Sequence, residues 1–270
     1  MARRPVVLVI AGSDSSGGAG LARDVRTLEI MGAEALCAVT AVTAQTDAGV
    51  LGVHAVPAEQ VRLQIEAAFA ARTVGAVKIG MLAGPATIDT VADTLRSAPA
   101  VPLVLDPVLR ASSGAALLEA GALARLRGRL FPLATLLTPN IPEAACLAGE
   151  PLATAPEPAR LIGWARRLLA EGARAVLIKG GHASGDVAAD VLVRPDHEPL
   201  WLSGPRLSAS RRGTGCALAS AIAAALAAGA DLPEACRRGR AHVLALLAEA
   251  QACAPAAPGS EVGLARIGSE

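Results

Sequence analysis

Hydrophobic residues along this chain alternate between short β-branched runs and longer stretches with helical spacing. The short runs, which we predict to be buried strands, lie at 6–11, 35–43, 76–79, 103–105, 135–137 and 175–178. The longer stretches, which we predict to be helices, lie at 20–31, 58–71, 85–96, 116–127, 142–148 and 158–171. This alternation predicts an α/β fold with a mostly parallel sheet and helices on both faces, and ligands at the carboxyl ends of the strands.

The pattern changes in the last third of the chain. Residues 186–193 and 199–202 have the alternation of an antiparallel strand pair joined by a turn. Two further helices are predicted, at 214–228 and 232–250. An antiparallel pair is therefore expected at one edge of the parallel sheet.

Length and composition indicate a folded globular protein. The chain has 270 residues, 53% of them hydrophobic, which is enough to bury a sizeable core. No internal repeat and no linker divides it, so we expect one domain over residues 1–270. The Pro-, Gly- and Ala-rich tail from about residue 254 is expected to be loosely held.

Charge and aromatic content argue against nucleic acid as a partner. The formal net charge is +1, and two Trp, two Phe and no Tyr cannot build a base-stacking platform. A membrane partner is not expected either, because the one long uncharged window, 213–230, is mostly Ala and too weakly apolar to span a bilayer. The apolar run at 6–11 is too short for a signal peptide.

The cysteines indicate the compartment. Their odd number, five, and the absence of CxxC spacing argue against a disulfide framework and a zinc site. A reducing cytoplasm is the expected location.

The segment 212–216, Arg-Gly-Thr-Gly-Cys, is the most informative one. It reads as a glycine-rich turn that opens a helix, and such a turn presents free backbone N–H groups and a positive dipole end to an anion, as a phosphotransferase requires. Cys216 would lie in the first turn, where the local field favours a thiolate. The alternative is an ordinary turn with Cys216 as a small buried hydrophobe.

Polar residues follow nearly every predicted strand. Asp24, after a glycine-rich loop at 12–20, could accept hydrogen bonds from an amine or a hydroxyl, or could be an exposed helix carboxylate. Asp106 at a buried strand end needs a partner such as a cation, and with Glu143 it could hold Mg²⁺ through waters. Asn140 is a natural helix cap.

Seven short motifs stand in order along the chain. They are 11–20 with Asp24, Thr-Ala-Gln at 43–45, Lys-Ile-Gly-Met-Leu at 78–82, Leu-Asp-Pro-Val at 105–108, Thr-Pro-Asn-Ile-Pro-Glu-Ala at 138–144, Lys-Gly-Gly-His at 179–182 and Gly-Thr-Gly-Cys at 213–216. Over residues 5–250 the chain thereby resembles the hydroxymethylpyrimidine and phosphomethylpyrimidine kinases of thiamine biosynthesis, which belong to the ribokinase-like superfamily. The resemblance implies a three-layer α/β/α fold, ATP and Mg²⁺ as cofactors, a small-molecule aminopyrimidine substrate and a homodimer.

The resemblance also implies roles for single residues. The substrate pocket would be lined by Gly12, Asp24, Val42, Gln45, Met81 and Val108, with Asp24 and Gln45 reading the ring nitrogens and the amino group. Asp106, Asn140 and Glu143 would organise Mg²⁺ and the nucleotide phosphates, with Lys179 near the nucleotide. Gly213, Thr214 and Gly215 would cradle the phosphoryl group, and Cys216 would take the place of the general base.

The chain departs from the family pattern beside this cradle. Ser210, Arg211 and Arg212 stand where the family usually has Asn, Thr and His. Two added cations would strengthen the hold on ATP or bind another anion, and we expect Arg212 to contact the nucleotide. Three functions stay open: a pyrimidine kinase, which Asp24, Gln45 and Cys216 favour, a pyridoxal kinase, because pyridoxal is a similar flat heterocycle, and a non-catalytic ligand-binding protein.

Overall fold

The computed structural model describes residues 3–111, 114–119, 121–152, 156–181 and 186–253. Two sequence expectations lie outside these residues, the loosely held tail from about residue 254 and His182 at the end of the Lys-Gly-Gly-His motif. Within the described residues, none of the helices is long and apolar enough to span a bilayer.

Nine strands in the described part of the chain form one sheet. They are β1 (Val6–Asp14), β2 (Glu34–Gln45), β3 (Val50–Ala55), β4 (Ala76–Ile79), β5 (Leu103–Leu105), β6 (Leu136–Leu137), β7 (Val176–Ile178), β8 (Val187–Val193) and β9 (Leu200–Pro205). Their order across the sheet is β3-β2-β1-β4-β5-β6-β7-β8-β9. Neighbours from β2 to β7 are parallel, whereas β3 at one edge and β8 and β9 at the other are antiparallel.

Eight α-helices in the same part of the chain cover the sheet. They are α1 (Gly20–Ile30), α2 (Ala58–Ala71), α3 (Pro85–Ser97), α4 (Ala122–Leu130), α5 (Ile141–Leu147), α6 (Pro158–Ala170), α7 (Thr214–Ala227) and α8 (Leu232–Ala252). Buried residues of α2 to α6 share one hydrophobic cluster, and those of α1, α7 and α8 share another. The expected three-layer α/β/α arrangement is therefore confirmed.

Strand β1 shows why its sequence is a nearly continuous apolar run. Leu8 and Ile10 pack into the cluster formed by α2 to α6, while Val7 and Val9 pack into the cluster on the opposite face. Successive side chains of a strand point to opposite faces, so a strand covered by helices on both sides must be apolar throughout.

Two elements differ from the sequence prediction. Strand β3, Val-Leu-Gly-Val-His-Ala after the turn Asp47-Ala48-Gly49, is not predicted from the sequence, although it pairs with β2. The helix expected over 116–127 begins only at Ala122, because Ala116 and Leu118 make bridges to neighbouring chain segments and the N-cap Gly121 has a φ of 82°. A left-handed residue cannot continue a helix upstream, so α4 starts after it.

The order of the strands places the polar motifs together at the carboxyl ends of the parallel strands. From β1 the chain adds β2 on one side and later β4 on the other, and parallel strands of this kind open a crevice at their carboxyl ends. The motifs supply Asp14 in β1, Lys78 in β4, and Asp106, Asn140 and Lys179, which come one to three residues after β5, β6 and β7.

Candidate active site

The loop after β1, residues 15–19 (the β1 loop), is folded around Asp14. Oδ1 of Asp14 accepts hydrogen bonds from the backbone N–H and the hydroxyl of Ser16 at 2.9 and 2.8 Å. Oδ2 accepts one from the backbone N–H of Ala19 at 2.9 Å. Asp14 is buried, and a charged acceptor shielded from water makes strong bonds, so this side chain sets the shape of the loop.

The segment 213–216, which we call the anion loop, packs directly against the β1 loop. Gly213 is the N-cap of α7 and has a φ of 76°. A Cβ atom at Gly213 would lie 2.3 Å from the carbonyl oxygen of Gly18 and 3.1 Å from Cα of Ala19. Glycine is required here twice, for its left-handed conformation and for the close approach of the two backbones.

The anion loop presents free backbone donors. The first bond of α7 runs from the N–H of Ala217 to the carbonyl of Gly213 at 2.9 Å. The amides of Thr214, Gly215 and Cys216 come before it and have no acceptor within the helix. Together with the positive end of the helix dipole, they have a geometry suited to an anion, and anion binding by this loop stays a prediction.

A buried charge cluster lies against the anion loop. Nζ of Lys179 is 2.7 Å from Oδ1 of Asp106 and 3.9 Å from Oε2 of Glu143. A Cβ atom at Gly215 would lie 3.2 Å from Nζ of Lys179. Burial alone would lower the pKa of Lys179, but the two carboxylates raise it above its ordinary value, so the side chain carries a charge next to the free amides.

Asp106 and Glu143 fit a magnesium ion only with help from other ligands. The hydrogen bonds of Lys179 and Thr138 both engage Oδ1 of Asp106, and its Oδ2 is the oxygen that faces Gly215. In the described part of the chain, no group of three or more His, Cys, Asp and Glu side chains is arranged to hold a metal. Mg²⁺ commonly uses one or two carboxylates and completes its shell with water and phosphate oxygens, so these residues suit it.

Asn140 and Glu143 form a capping box at the start of α5. Oδ1 of Asn140 accepts from the N–H of Glu143 at 2.8 Å, and Oε2 of Glu143 accepts from the N–H of Asn140 at 2.8 Å. Burial raises the pKa of Glu143 to about 7, against the opposing charge of Lys179. Asn140 is thus the helix cap that the sequence indicates, and it holds Glu143 next to Lys179.

Cys216 lies in the first turn of α7, as predicted, but its protonation differs from the prediction. Burial raises the pKa of the thiol to about 11, and the negative charges of Asp24 and Asp106 add to the effect. Lys78 and a hydrogen bond from the backbone N–H of Gly20 act in the opposite direction. The expected thiolate is wrong for the ligand-free chain, because desolvation outweighs the field of the helix.

Sequence reasoning assigned no role to Lys78, which lies in the centre of the site. It is fully buried in β4, and its Nζ is 2.7 Å from Oδ2 of Asp24, which is also fully buried. The hydroxyl of Ser220 donates to Oδ1 of Asp24 at 2.7 Å. The signal was present, since a lysine among four buried strand positions requires a buried counter-charge.

Asp24 therefore does not face a pocket in this structure. Its exposed fraction is 0%, and both oxygens accept hydrogen bonds from protein groups. Burial alone would lower the pKa of Lys78, but Asp24 raises it above its ordinary value. The carboxylate expected to read the substrate ring instead holds a charged lysine beneath Cys216, which lies one helical turn before Ser220.

Several predicted pocket residues do come together in a small apolar cluster apart from the two main ones. Ala41, Met81 and Ala83 are its buried members, and Val108 packs on it. A Cβ atom at Gly12 would lie 2.9 Å from Sδ of Met81. Gly12, Met81 and Val108 thus surround one apolar surface at the ends of three neighbouring strands.

Two other predicted pocket residues are not members of this apolar cluster. Val42 is 51% exposed and follows Ala41 in β2, so its side chain points to the opposite face of the strand. Nε2 of Gln45 is 3.5 Å from Oδ2 of Asp14, a long contact that leaves the amide able to turn to a ligand.

Arg212 does not point toward the charge cluster. Its Nη2 donates to Oδ2 of Asp14 at 3.1 Å, and its Nη1 lies near Ser16, Thr46 and Asp47. All four acceptors lie at the ends of β1 and β2 or just after them, and the expected contact of Arg212 with the nucleotide stays a prediction.

A parallel sheet between two helical layers, with an anion loop facing a lysine–carboxylate cluster, has the architecture of a ribokinase-like kinase. Comparison with solved structures agrees. A phosphomethylpyrimidine kinase from Clostridium difficile 630 superimposes with a TM-score of 0.77 at 34% identity, covering 90% of this chain and 99% of that one. The pyridoxal kinase of Staphylococcus aureus in complex with AMP-PCP and pyridoxal gives 0.81 at 28% identity, covering 91% and 88%.

Sequence comparison defines the family. The family model described as phosphomethylpyrimidine kinase matches residues 14–258, and the chain belongs to this family. A hydroxymethylpyrimidine/phosphomethylpyrimidine kinase of Mycobacterium bovis is 46% identical over 240 residues, 87% of this chain and 86% of the relative. The chain spans 50% of the length of a thiamine biosynthesis bifunctional protein of Geobacter sulfurreducens, which is 42% identical over 92% of this chain.

Proposed function

We propose that this chain transfers the γ-phosphoryl group of ATP to 4-amino-5-hydroxymethyl-2-methylpyrimidine, and then a second one to the monophosphate. The product is the pyrophosphate used in thiamine biosynthesis. The observation that carries the proposal is the placement of three free amides of the anion loop beside the pair formed by Lys179 and Asp106. Relatives named for both activities match nearly the whole chain.

Catalysis is proposed to rest on alignment and charge stabilisation. Phosphoryl transfer passes through a loose transition state with negative charge on the equatorial oxygens. The amides of Thr214, Gly215 and Cys216 would donate hydrogen bonds to these oxygens, and the ammonium of Lys179 would add a positive charge. Because the donors are fixed before the substrate arrives, no reorganisation is needed during the reaction.

The nucleotide is proposed to be ATP with Mg²⁺. The Staphylococcus aureus pyridoxal kinase, a structural neighbour, was solved with AMP-PCP. Asp106, with Glu143 positioned by Asn140, would hold the metal at the end of β5. When bound there, Mg²⁺ neutralises phosphate charge.

The attacking hydroxyl is proposed to need little help from a base. Cys216 is protonated near neutral pH, because burial raises the pKa of its thiol to about 11. In a loose transition state the hydroxyl proton leaves late, and we propose that it passes to a phosphate oxygen of the product. Cys216 then acts through its backbone N–H and as a neutral thiol in contact with the reacting groups.

The pyrimidine is proposed to lie on the apolar surface formed by Gly12, Met81 and Val108. A flat ring needs a flat apolar contact and a few polar groups at its edge. Gln45, whose side-chain amide has only long contacts, would supply a donor and an acceptor for the ring.

The proposal is tested by following ADP release with Mg-ATP and each candidate acceptor. We expect turnover with the hydroxymethylpyrimidine and with its monophosphate, and little with pyridoxal. Turnover with pyridoxal alone would select the second candidate, which the Staphylococcus aureus structure motivates. Acceptor binding without ADP release would show a non-catalytic protein.

A homodimer is proposed through the sheet edge at β3. This strand has only β2 as a neighbour, and it exposes 79% of Leu51 and 44% of Val53. Apolar side chains on an open strand edge favour pairing with a second copy. Light scattering would show a dimer for the chain and a monomer for a Leu51→Lys/Val53→Lys variant, whereas a monomer for both would refute it.

A cytoplasmic location is proposed from the cysteines. All five, Cys37, Cys146, Cys216, Cys236 and Cys253, are free thiols in the structure. Free exposed thiols persist in a reducing compartment. Fractionation of cells that express the chain would test this, and recovery outside the cytoplasmic fraction would contradict it.

A further inference from the structure

Three segments that are distant in the sequence meet beside the anion loop. The first is the β1 loop, held by Asp14. The second is the turn between β2 and β3, residues 46–49 (the hairpin tip), which is closed by a hydrogen bond from the N–H of Thr46 to the carbonyl of Gly49 at 2.9 Å. The third is the chain just before α7, which carries Arg212.

The guanidinium of Arg212 connects all three segments. Nη2 donates to Oδ2 of Asp14 at 3.1 Å. Nη1 lies 3.0 Å from the hydroxyl of Ser16, 2.9 Å from the carbonyl of Thr46 and 3.1 Å from Oδ1 of Asp47. The planar fork of an arginine carries five N–H donors spread over three nitrogens, whereas a lysine has three donors on a single atom and reaches fewer separated acceptors.

Burial makes these contacts unequal. The side chains of Arg212 and Asp14 are 19% and 5% exposed, so their ion pair is shielded from solvent. The side chain of Asp47 is 90% exposed, and an ion pair with such a group contributes little. The connection therefore depends on Asp14 and on the backbone carbonyl of Thr46.

Apart from Arg212, the β1 loop is joined to the start of the hairpin tip by Ser15, whose hydroxyl donates to the carbonyl of Gln45 at 2.9 Å and accepts from its N–H at 2.8 Å. Within one copy of the chain, β3 is an edge strand with exposed residues along most of its length, and its only strand neighbour is β2. Of the two arginines before Gly213, Arg211 makes no ion pair or side-chain hydrogen bond with the described residues. Arg211 is thus a matched control that carries the same charge at the neighbouring position.

We propose that Arg212 is a positioning residue that fastens the hairpin tip and the β1 loop to the anion loop, so that the substrate side of the site is held in register with the phosphate side. The catalytic role of this connection rests on the proposed function. The connection of the three segments by Arg212 does not itself depend on which acceptor is phosphorylated.

The first test is hydrogen exchange of the ligand-free chain, which needs no turnover. In an Arg212→Met variant we expect the protected amides of residues 46–55 to exchange about tenfold faster. The hairpin can then open without breaking the hydrogen bonds of Arg212, so the free energy of local opening is lower. Arg212→Lys should restore part of the protection. Arg211→Met and Asp47→Asn should stay within about twofold of the parent. Unchanged exchange in Arg212→Met, or an equal increase in Arg211→Met, would overturn the proposal.

The second test separates positioning from direct nucleotide binding. A fastening role predicts that Arg212→Met raises the KM for the pyrimidine more than about fivefold and leaves the affinity for AMP-PCP within about twofold. Loss of AMP-PCP affinity with unchanged exchange would instead place Arg212 on the nucleotide and refute the proposal. If no acceptor is turned over by the parent chain, the proposed function fails, and the exchange experiment still decides the role of Arg212.

Discussion

Nζ of Lys78 lies 2.7 Å from Oδ2 of Asp24, and neither side chain is exposed to solvent. The pair joins β4 to α1, and the hydroxyl of Ser220 extends it to α7. Cys216 lies in α7, so this buried salt bridge stabilises the packing of the elements that carry the candidate active site. Buried pairs of this kind are costly to break, because removing one partner leaves an isolated charge.

The first prediction concerns the stability of this pair. We expect Asp24→Asn to lower the free energy of unfolding by about 3–5 kcal/mol, since the ammonium of Lys78 is left without its counter-charge. Urea denaturation measures the change. In a Lys78→Met/Asp24→Leu double variant neither charge of this pair remains, and the loss should be clearly smaller than for Asp24→Asn. Equal losses would mean that the charges are not coupled.

The second prediction concerns the thiol of Cys216. Only the thiolate reacts with iodoacetamide, and a pKa raised to about 11 keeps the thiol neutral over the working range. The alkylation rate of Cys216 should therefore rise about tenfold per pH unit from pH 7 to 10, without levelling off. Peptide mass spectrometry resolves the sites, and exposed Cys253 serves as an internal control. A rate that levels off below pH 9 would restore the thiolate that the sequence predicts.

The third prediction separates two roles of Cys216 in catalysis. A thiolate base would make kcat rise about tenfold per pH unit below the pKa of the thiol, whereas a neutral thiol leaves kcat nearly flat from pH 7 to 9. We expect the flat profile. Cys216→Ala should lower kcat with little change in pyrimidine affinity, because the lost contact is made in the transition state. A fully active Cys216→Ala variant would remove this side chain from the mechanism.

The fourth prediction concerns the glycine that caps α7. In Gly213→Ala the new Cβ would meet the carbonyl oxygen of Gly18 at 2.3 Å, so the anion loop must move away from the β1 loop. We expect nearly complete loss of kcat and a destabilisation of about 3 kcal/mol. Gly229 provides the control, since its φ is 88° and nothing lies within 4 Å of its added Cβ.

Gly229→Ala measures the conformational penalty alone, about 1 kcal/mol, and should keep full activity. Both variants can be compared in one denaturation series. If Gly213→Ala lowered kcat and the free energy of unfolding no more than Gly229→Ala, the close contact between the two loops would not be needed for activity or stability.

Much of the fold follows from local pattern. The apolar runs at 6–11 and 76–79 could be assigned to buried strands because both faces of the sheet are covered, and the helical spacing at 158–171 matches α6. Strand β3 was missed because its residues are mostly exposed, so no hydrophobic alternation marks it. The start of α4 was misplaced because a left-handed glycine, which periodicity does not register, sets it.

The sequence by itself determined which functional residues come together at the strand ends. The glycines of the anion loop, the aspartate after β5 and the lysine after β7 are recognisable from residue type and position, since a parallel sheet must bring strand ends together. Tertiary structure alone decided which charges are partnered. Asp24 is bound to Lys78, Arg212 is bound to Asp14, and the thiol of Cys216 is neutral. These ion pairs and this protonation state depend on burial and on distances between groups that are far apart in the chain. Neither burial nor such distances can be predicted from local sequence.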